Sequence, residues 1–192
     1  MKPRLFFDTE TTGLPDWKKP SESDSQPHIV QIAAILTDED TRKIISSIDL
    51  IIKPEGWVIS PEMTEIHGIT TEHALDVGVS EKLAVELFIE LMGDALRVAH
   101  NTTFDNRIIR IALKRYMPDL IPDEVWKDRS TYHCTLMNAR KIMGGKSGHT
   151  LEEAYKHFTG KDMENAHSAM PDTQACMEIY WAILDREKAL AA

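Results

Sequence analysis

Three short clusters hold the residues best suited to chemistry. In the first, Asp8-Thr9-Glu10-Thr11-Thr12-Gly13 follows the apolar run Leu5-Phe6-Phe7. Side chains alternate along a strand, so Phe6, Asp8 and Glu10 share one face. Two carboxylates side by side repel unless a cation lies between them. A hard ion that prefers oxygen ligands, Mg²⁺ or Mn²⁺, suits that place. Taken alone, the same cluster reads equally well as an acidic strand end open to water.

The second cluster, His100-Asn101-Thr102-Thr103-Phe104-Asp105, opens a helical pattern. Asp105 falls in the first turn, where a negative charge complements the helix dipole. It also shares a stripe with Ile108, Ile109 and Ala112, and a carboxylate on the apolar side of a helix is costly without a partner. The third cluster is His167-Ser168-Ala169-Met170-Pro171-Asp172. Asp172 lines up with Ala175, Cys176, Ile179 and Ile183 on another buried stripe. Pro171 fits only a first helical turn. The helix is therefore expected to start near Ser168, leaving His167 in the approach loop, where it can bend toward the site that Asp172 helps form. Asp8, Glu10, Asp105 and Asp172 are thus all expected to face inward. Four such carboxylates do not stay ionised together without metal. Two cations roughly 4 Å apart are the known arrangement for in-line phosphoryl displacement.

The elements that must position these residues follow from periodicity and punctuation. Residues 4–7 read as a short buried strand, 28–36 as a second and 43–52 as a third, with an acidic hairpin turn at 37–41. Residues 15–27, with Pro15, Pro20, Pro27 and many Ser, Asp and Lys residues, read as a long mobile loop. Ser80 caps a helix with Leu83, Ala84, Leu87, Phe88, Leu91 and Met92 on one stripe. Residues 96–100 are a strand. Residues 102–116 are helical until Pro118 stops them. Shorter helices are expected at 135–143 and 150–158, and a last one from about 168 to 190. Strands first, then helices around one more strand, suggest a mixed sheet with flanking helices.

The whole chain sets limits. Its 192 residues suit a single domain, 1–192. No apolar run approaches the ~20 residues that span a bilayer, so no membrane partner is expected. Asp8 cuts the first apolar stretch short, which argues against a signal peptide. Cys134 and Cys176 form neither a disulfide framework nor a CxxC site, so a reducing, cytoplasmic setting is the default. The net charge of −9 argues against a protein that coats nucleic acid through a broad basic surface. It leaves room for an enzyme that grips a few nucleotides, because divalent ions would offset clustered carboxylates locally.

The three clusters, in this order and spacing, resemble the DEDD exonuclease superfamily in its His-containing branch. The matching runs are Phe7-Asp8-Thr9-Glu10-Thr11-Thr12-Gly13, Ala99 through Asp105, and His167 through Thr173. Ile29-Val30-Gln31-Ile32-Ala33, Ile66-His67-Gly68-Ile69-Thr70 and Cys134-Thr135 agree as secondary marks. The resemblance covers essentially the whole chain. It implies a ribonuclease-H-like α/β fold with a five-stranded mixed sheet flanked by helices. It implies 3′–5′ removal of nucleoside 5′-monophosphates with two Mg²⁺ or Mn²⁺ ions. Asp8, Glu10 and Asp172 would hold one ion, Asp8 would touch the second, and Asp105 would act directly or through water. His167 would be the general base. Thr11, Thr12 and Gly13 would lie against the terminal nucleotide, Ile66 and His67 would flank its base, and Asn101 would also contact substrate.

The expected partner is a single-stranded 3′ end, DNA ahead of RNA. RNA or oligoribonucleotides, a non-catalytic binding subunit and a proofreading subunit acting with a polymerase are the alternatives. All five catalytic positions are present, which disfavours the non-catalytic reading. The chain ends about twenty residues after Asp172. A tethering tail is therefore not expected, and a stand-alone enzyme, or one acting in trans, is favoured. Two features depart from the family pattern: Pro171, which would stiffen the His167 loop, and the long 15–27 segment, which reads as a disordered solvent loop or as an edge of the substrate groove.

Overall fold

A computed structural model describes residues 2–144, 149–164 and 166–191. Its sheet has five strands: β1 (Pro3–Thr11), β2 (Ile29–Asp38), β3 (Ile44–Ile51), β4 (Leu96–Ala99) and β5 (Tyr132–Cys134). They lie in the order β3-β2-β1-β4-β5. β1, β2 and β3 pair antiparallel, whereas β4 and β5 run parallel to β1. Among the described residues the α-helices are α1 (Pro61–His67), α2 (Thr71–Val77), α3 (Glu81–Met92), α4 (Thr102–Tyr116), α5 (Asp123–Trp126), α6 (Thr135–Met143), α7 (Leu151–Thr159) and α8 (Ala169–Ala191). This is the mixed, helix-flanked sheet of the ribonuclease-H-like expectation.

β1 lies in the middle and is covered on both faces, which is why Leu5, Phe6 and Phe7 form an unbroken apolar run. Leu5 and Phe7 pack with Phe88 of α3 and Ile108 of α4. Phe6 points the other way, into Cys176, Tyr180 and Trp181 of α8. The two faces of the central strand therefore meet different helices.

Several expectations are corrected. β1 continues to Thr11 instead of ending at Phe7, because β2 stays paired with it through a bulge at Glu10/Thr11. The first cluster thus sits within the strand, not at its exit. β5 is only three residues long, and its parallel pairing with β4 makes it a strand, not its own pattern. The α3 stripe is rotated: Leu83 and Leu87 are exposed, while Glu81, Ala84, Val85 and Phe88 are buried. Glu81 is tolerated inside because it accepts hydrogen bonds from the Ile29 N–H, the Tyr116 hydroxyl and Arg115. Helices α1 and α2 were not expected. Their signals were Ser60-Pro61 at the start of α1, Gly68 at its left-handed end, and Thr70 capping α2.

Residues 15–27 are corrected too. They are folded back onto the protein rather than spread into solvent. Gln26 is 2% exposed. Its amide accepts from the Asp16 N–H and donates to the Asp16, Lys19 and Pro20 carbonyls. Arg107, Arg110 and Arg115 of α4 reach across to the segment, donating to the Asp16 and Lys19 carbonyls, the Ser21 hydroxyl, and the Gln26 and Pro27 carbonyls respectively. Among the described residues, no helix is long and apolar enough to cross a membrane.

Candidate active site

Strand alternation sends Asp8 and Glu10 to the α8 face, the face already occupied by Phe6. α8 packs across that face through Cys176 and Tyr180, so Asp172, one turn before Cys176, hangs over the two carboxylates. One oxygen from each of Asp8, Glu10 and Asp172 lies within 4.8 Å of the others. Pro171 stands in the first turn of α8, where its missing N–H costs nothing. The Asp172 N–H closes that turn on the Ser168 carbonyl at 3.1 Å. Gln31 of β2 locks the start of the helix: its side-chain oxygen accepts the buried Ala169 N–H at 3.1 Å.

Asp105 comes from the other side. It is 2% exposed and accepts a 2.9 Å hydrogen bond from the Thr9 hydroxyl. Thr9 alternates with Asp8 and Glu10 and so faces α4. Asp105 is therefore not one of the three clustered carboxylates. It stands close enough to raise the Asp8 pKa.

The electrostatics are those of crowded acids. Burial, followed by the charges of Asp105, Asp172 and Glu10, pushes Asp8 well above the usual carboxylate range. Burial and then Asp172 lift Glu10 to about 7, with His167 partly offsetting them. Burial lifts Asp105 to about 7 against the pull of the Thr9 hydroxyl. Burial lifts Asp172 to about 6, and His167 pulls it back. His167 is exposed, in the left-handed region at φ 65°, in the loop entering α8. One Asp172 oxygen is buried and has no hydrogen-bond partner among the described residues. An orphaned carboxylate oxygen inside a group of mutually repelling acids fits a divalent cation.

Beside the acids lies a cleft of about 630 Å³ whose lining includes Thr11, Thr12, Gly13, Ile66, His67 and Phe104. Ile66 is 48% exposed. His67 is buried at the end of α1. Its Nδ1 accepts the Ile69 N–H, and burial lowers its pKa, so the ring is neutral and Nε2 carries the proton. Asn101, at φ 75° just before α4, is exposed and is not part of this lining. A larger cleft, about 810 Å³, lies at the opposite end of β1 and β4 and holds none of these acids. Sequence reasoning missed Thr9 as the partner of Asp105 and Gln31 as the anchor of α8. The signal for Gln31 was a lone amide inside an otherwise apolar strand.

Comparisons with known proteins show the family. An exonuclease family model matches residues 5–180. The chain is 26% identical to ribonuclease T of Actinobacillus pleuropneumoniae, over 97% of this chain and 85% of that protein. It is 30% identical to ribonuclease T of Shewanella oneidensis, over 97% and 83%. Against the epsilon subunit of DNA polymerase III of Escherichia coli it is 26% identical, over 98% and 74%. Among solved structures, the zinc-bound E. coli exonuclease I complex with single-stranded DNA superposes with a TM-score of 0.76 at 23% identity, covering 99% of this chain and 42% of that one. This chain thus spans about two fifths of exonuclease I, and at that identity the likeness concerns the fold. The family match spans residues 5–180, a range that includes Asp8, Glu10, Asp105 and Asp172, so this protein is an enzyme of the exonuclease family, a 3′–5′ exonuclease.

Proposed function

We propose that the protein removes nucleotides one at a time from single-stranded 3′ ends, DNA in preference to RNA, and releases nucleoside 5′-monophosphates. The observation that carries this reading is the Asp8, Glu10 and Asp172 cluster, within 4.8 Å and beside an open cleft. These three would hold Mg²⁺ or Mn²⁺, and Asp105, behind Asp8, would help to hold a second ion. Bound there, such ions would neutralise charge on the scissile phosphate and make the attacking water more acidic. Thr11, Thr12 and Gly13 receive the terminal nucleotide in this reading, with Ile66 and His67 against its base and Asn101 contacting the strand outside the cleft. The Thr11 hydroxyl donates to the Gly13 carbonyl at 2.8 Å, which stiffens that wall. His167, beside Glu10 and Asp172, takes the proton of the attacking water.

A fold neighbour solved in complex with single-stranded DNA supports DNA as substrate, whereas the ribonuclease T relatives support RNA as the second reading. The epsilon relative supports action alongside a polymerase. The test is digestion of end-labelled single-stranded DNA, duplex DNA and RNA. Blocking the 3′ hydroxyl should stop digestion, and blocking the 5′ end should not. The reverse pattern refutes the proposed polarity, and faster digestion of RNA refutes the preference for DNA.

A further inference from the structure

Residues 15–27 leave the catalytic strand as a clamped loop, yet they display an indole. Gln26 ties the loop to itself, and three arginines of α4 hold its backbone and Ser21. On this anchored segment Trp17 is 57% exposed. The Arg107 guanidinium lies over this ring, and the indole's exposed surface is open to a further stacking partner.

Trp17 borders a groove of about 260 Å³ together with Thr103, Arg107 and Tyr132. The Arg107 guanidinium lies 6.0 Å from the Trp17 ring. Arg107 donates to neutral carbonyls of Asp16 and Lys19, and its Nε is buried without a hydrogen-bond partner among the described residues. The groove adjoins the catalytic cleft around the start of α4. Thr103 lines the groove and its neighbour Phe104 lines the cleft, just as Leu14 lines the cleft three residues before Trp17.

We propose that Trp17 and Arg107 form a stacking platform for a base of the single-stranded substrate beyond the first base upstream of the scissile bond. This rests on the exonuclease reading above. An aromatic face accepts any base, and a nearby guanidinium adds attraction to both base and phosphate. The clamped loop keeps the ordering cost of binding low. A local platform also explains how a chain with a net charge of −9 grips a polyanion without a broad basic surface.

The test compares kcat/KM on a dinucleotide, which carries one base upstream of the scissile bond, with that on a single strand about eight nucleotides long, within the range such grooves occupy. Trp17→Ala should lower kcat/KM on the longer strand by about tenfold or more, through KM, and leave the dinucleotide unchanged. Trp17→Phe should restore most of the loss. Equal losses on both substrates would mean that Trp17 only supports the fold, and no loss on either would leave the indole to another partner, such as a protein; both results overturn the platform. If the wild-type protein digests the longer strand but Trp17→Ala is silent, the exonuclease reading survives alone. If the wild type digests neither substrate, that reading falls and the platform falls with it.

Discussion

Replacing Glu10 by Gln should make the metal-free protein more stable while weakening the site. The Glu10 carboxyl has a pKa of about 7 in the folded chain, against an ordinary value of 4.5. A carboxyl whose folded pKa lies above its unfolded value binds its proton more tightly when folded. Its proton therefore favours the folded state, and stability falls as pH rises from about 4.5 through about 7. At ~1.36 kcal/mol per pH unit, the ionised group at pH 8 costs about 3 kcal/mol. A domain of this size shifts by roughly 2–4 °C per kcal/mol, so the expected effect is about 6–12 °C. Gln has the shape of the protonated acid without its titration. In excess chelator at about pH 8, Glu10→Gln should melt about 6–12 °C above wild type, and the gap should close toward about pH 4. Adding Mg²⁺ or Mn²⁺ should raise the wild-type melting temperature more than that of the variant, which has lost a charged ligand. Thermal melts by circular dichroism across pH, with and without the cation, read all of this. A variant less stable than wild type in chelator at pH 8, or an offset independent of pH, would refute the crowding of acids as the cause.

Asp8→Asn should abolish both metal binding and turnover, whereas His167→Ala should keep metal binding by calorimetry and lose about 10²–10⁴-fold in rate. Equal loss of metal in both variants would remove His167 from the role of general base. Excess chelator should stop digestion and Mg²⁺ or Mn²⁺ should restore it; Ca²⁺ should bind but support little turnover, because it accepts more ligands at longer distances. Phe88→Ala should cost about 3–5 kcal/mol in urea unfolding, because Phe88 is fully buried with its ring centroid 5.2 Å from that of Phe7.

Local pattern carried much of this protein. Alternation along β1 put Asp8 and Glu10 on one face, and helical spacing put Asp105 and Asp172 on buried stripes. The bounds of α4, 102–116, followed from period and from Pro118, and the start of α8 followed from Pro171. These features depend on neighbours within a few residues, which a single sequence displays. Only the tertiary structure decided which acids meet. α8 covers the face of β1 that bears Asp8 and Glu10, whereas α4 covers the opposite face, so Asp172 joins them and Asp105 bonds to Thr9 instead. No periodicity states which helix covers which face of a strand. Residues 15–27 make the same point, since their composition suits a mobile loop and the arginines that clamp them lie 88 or more positions away along the chain. β5 is a strand only because β4 runs beside it. Each of these outcomes rests on contacts between distant segments, and such contacts exist only once the sheet has formed.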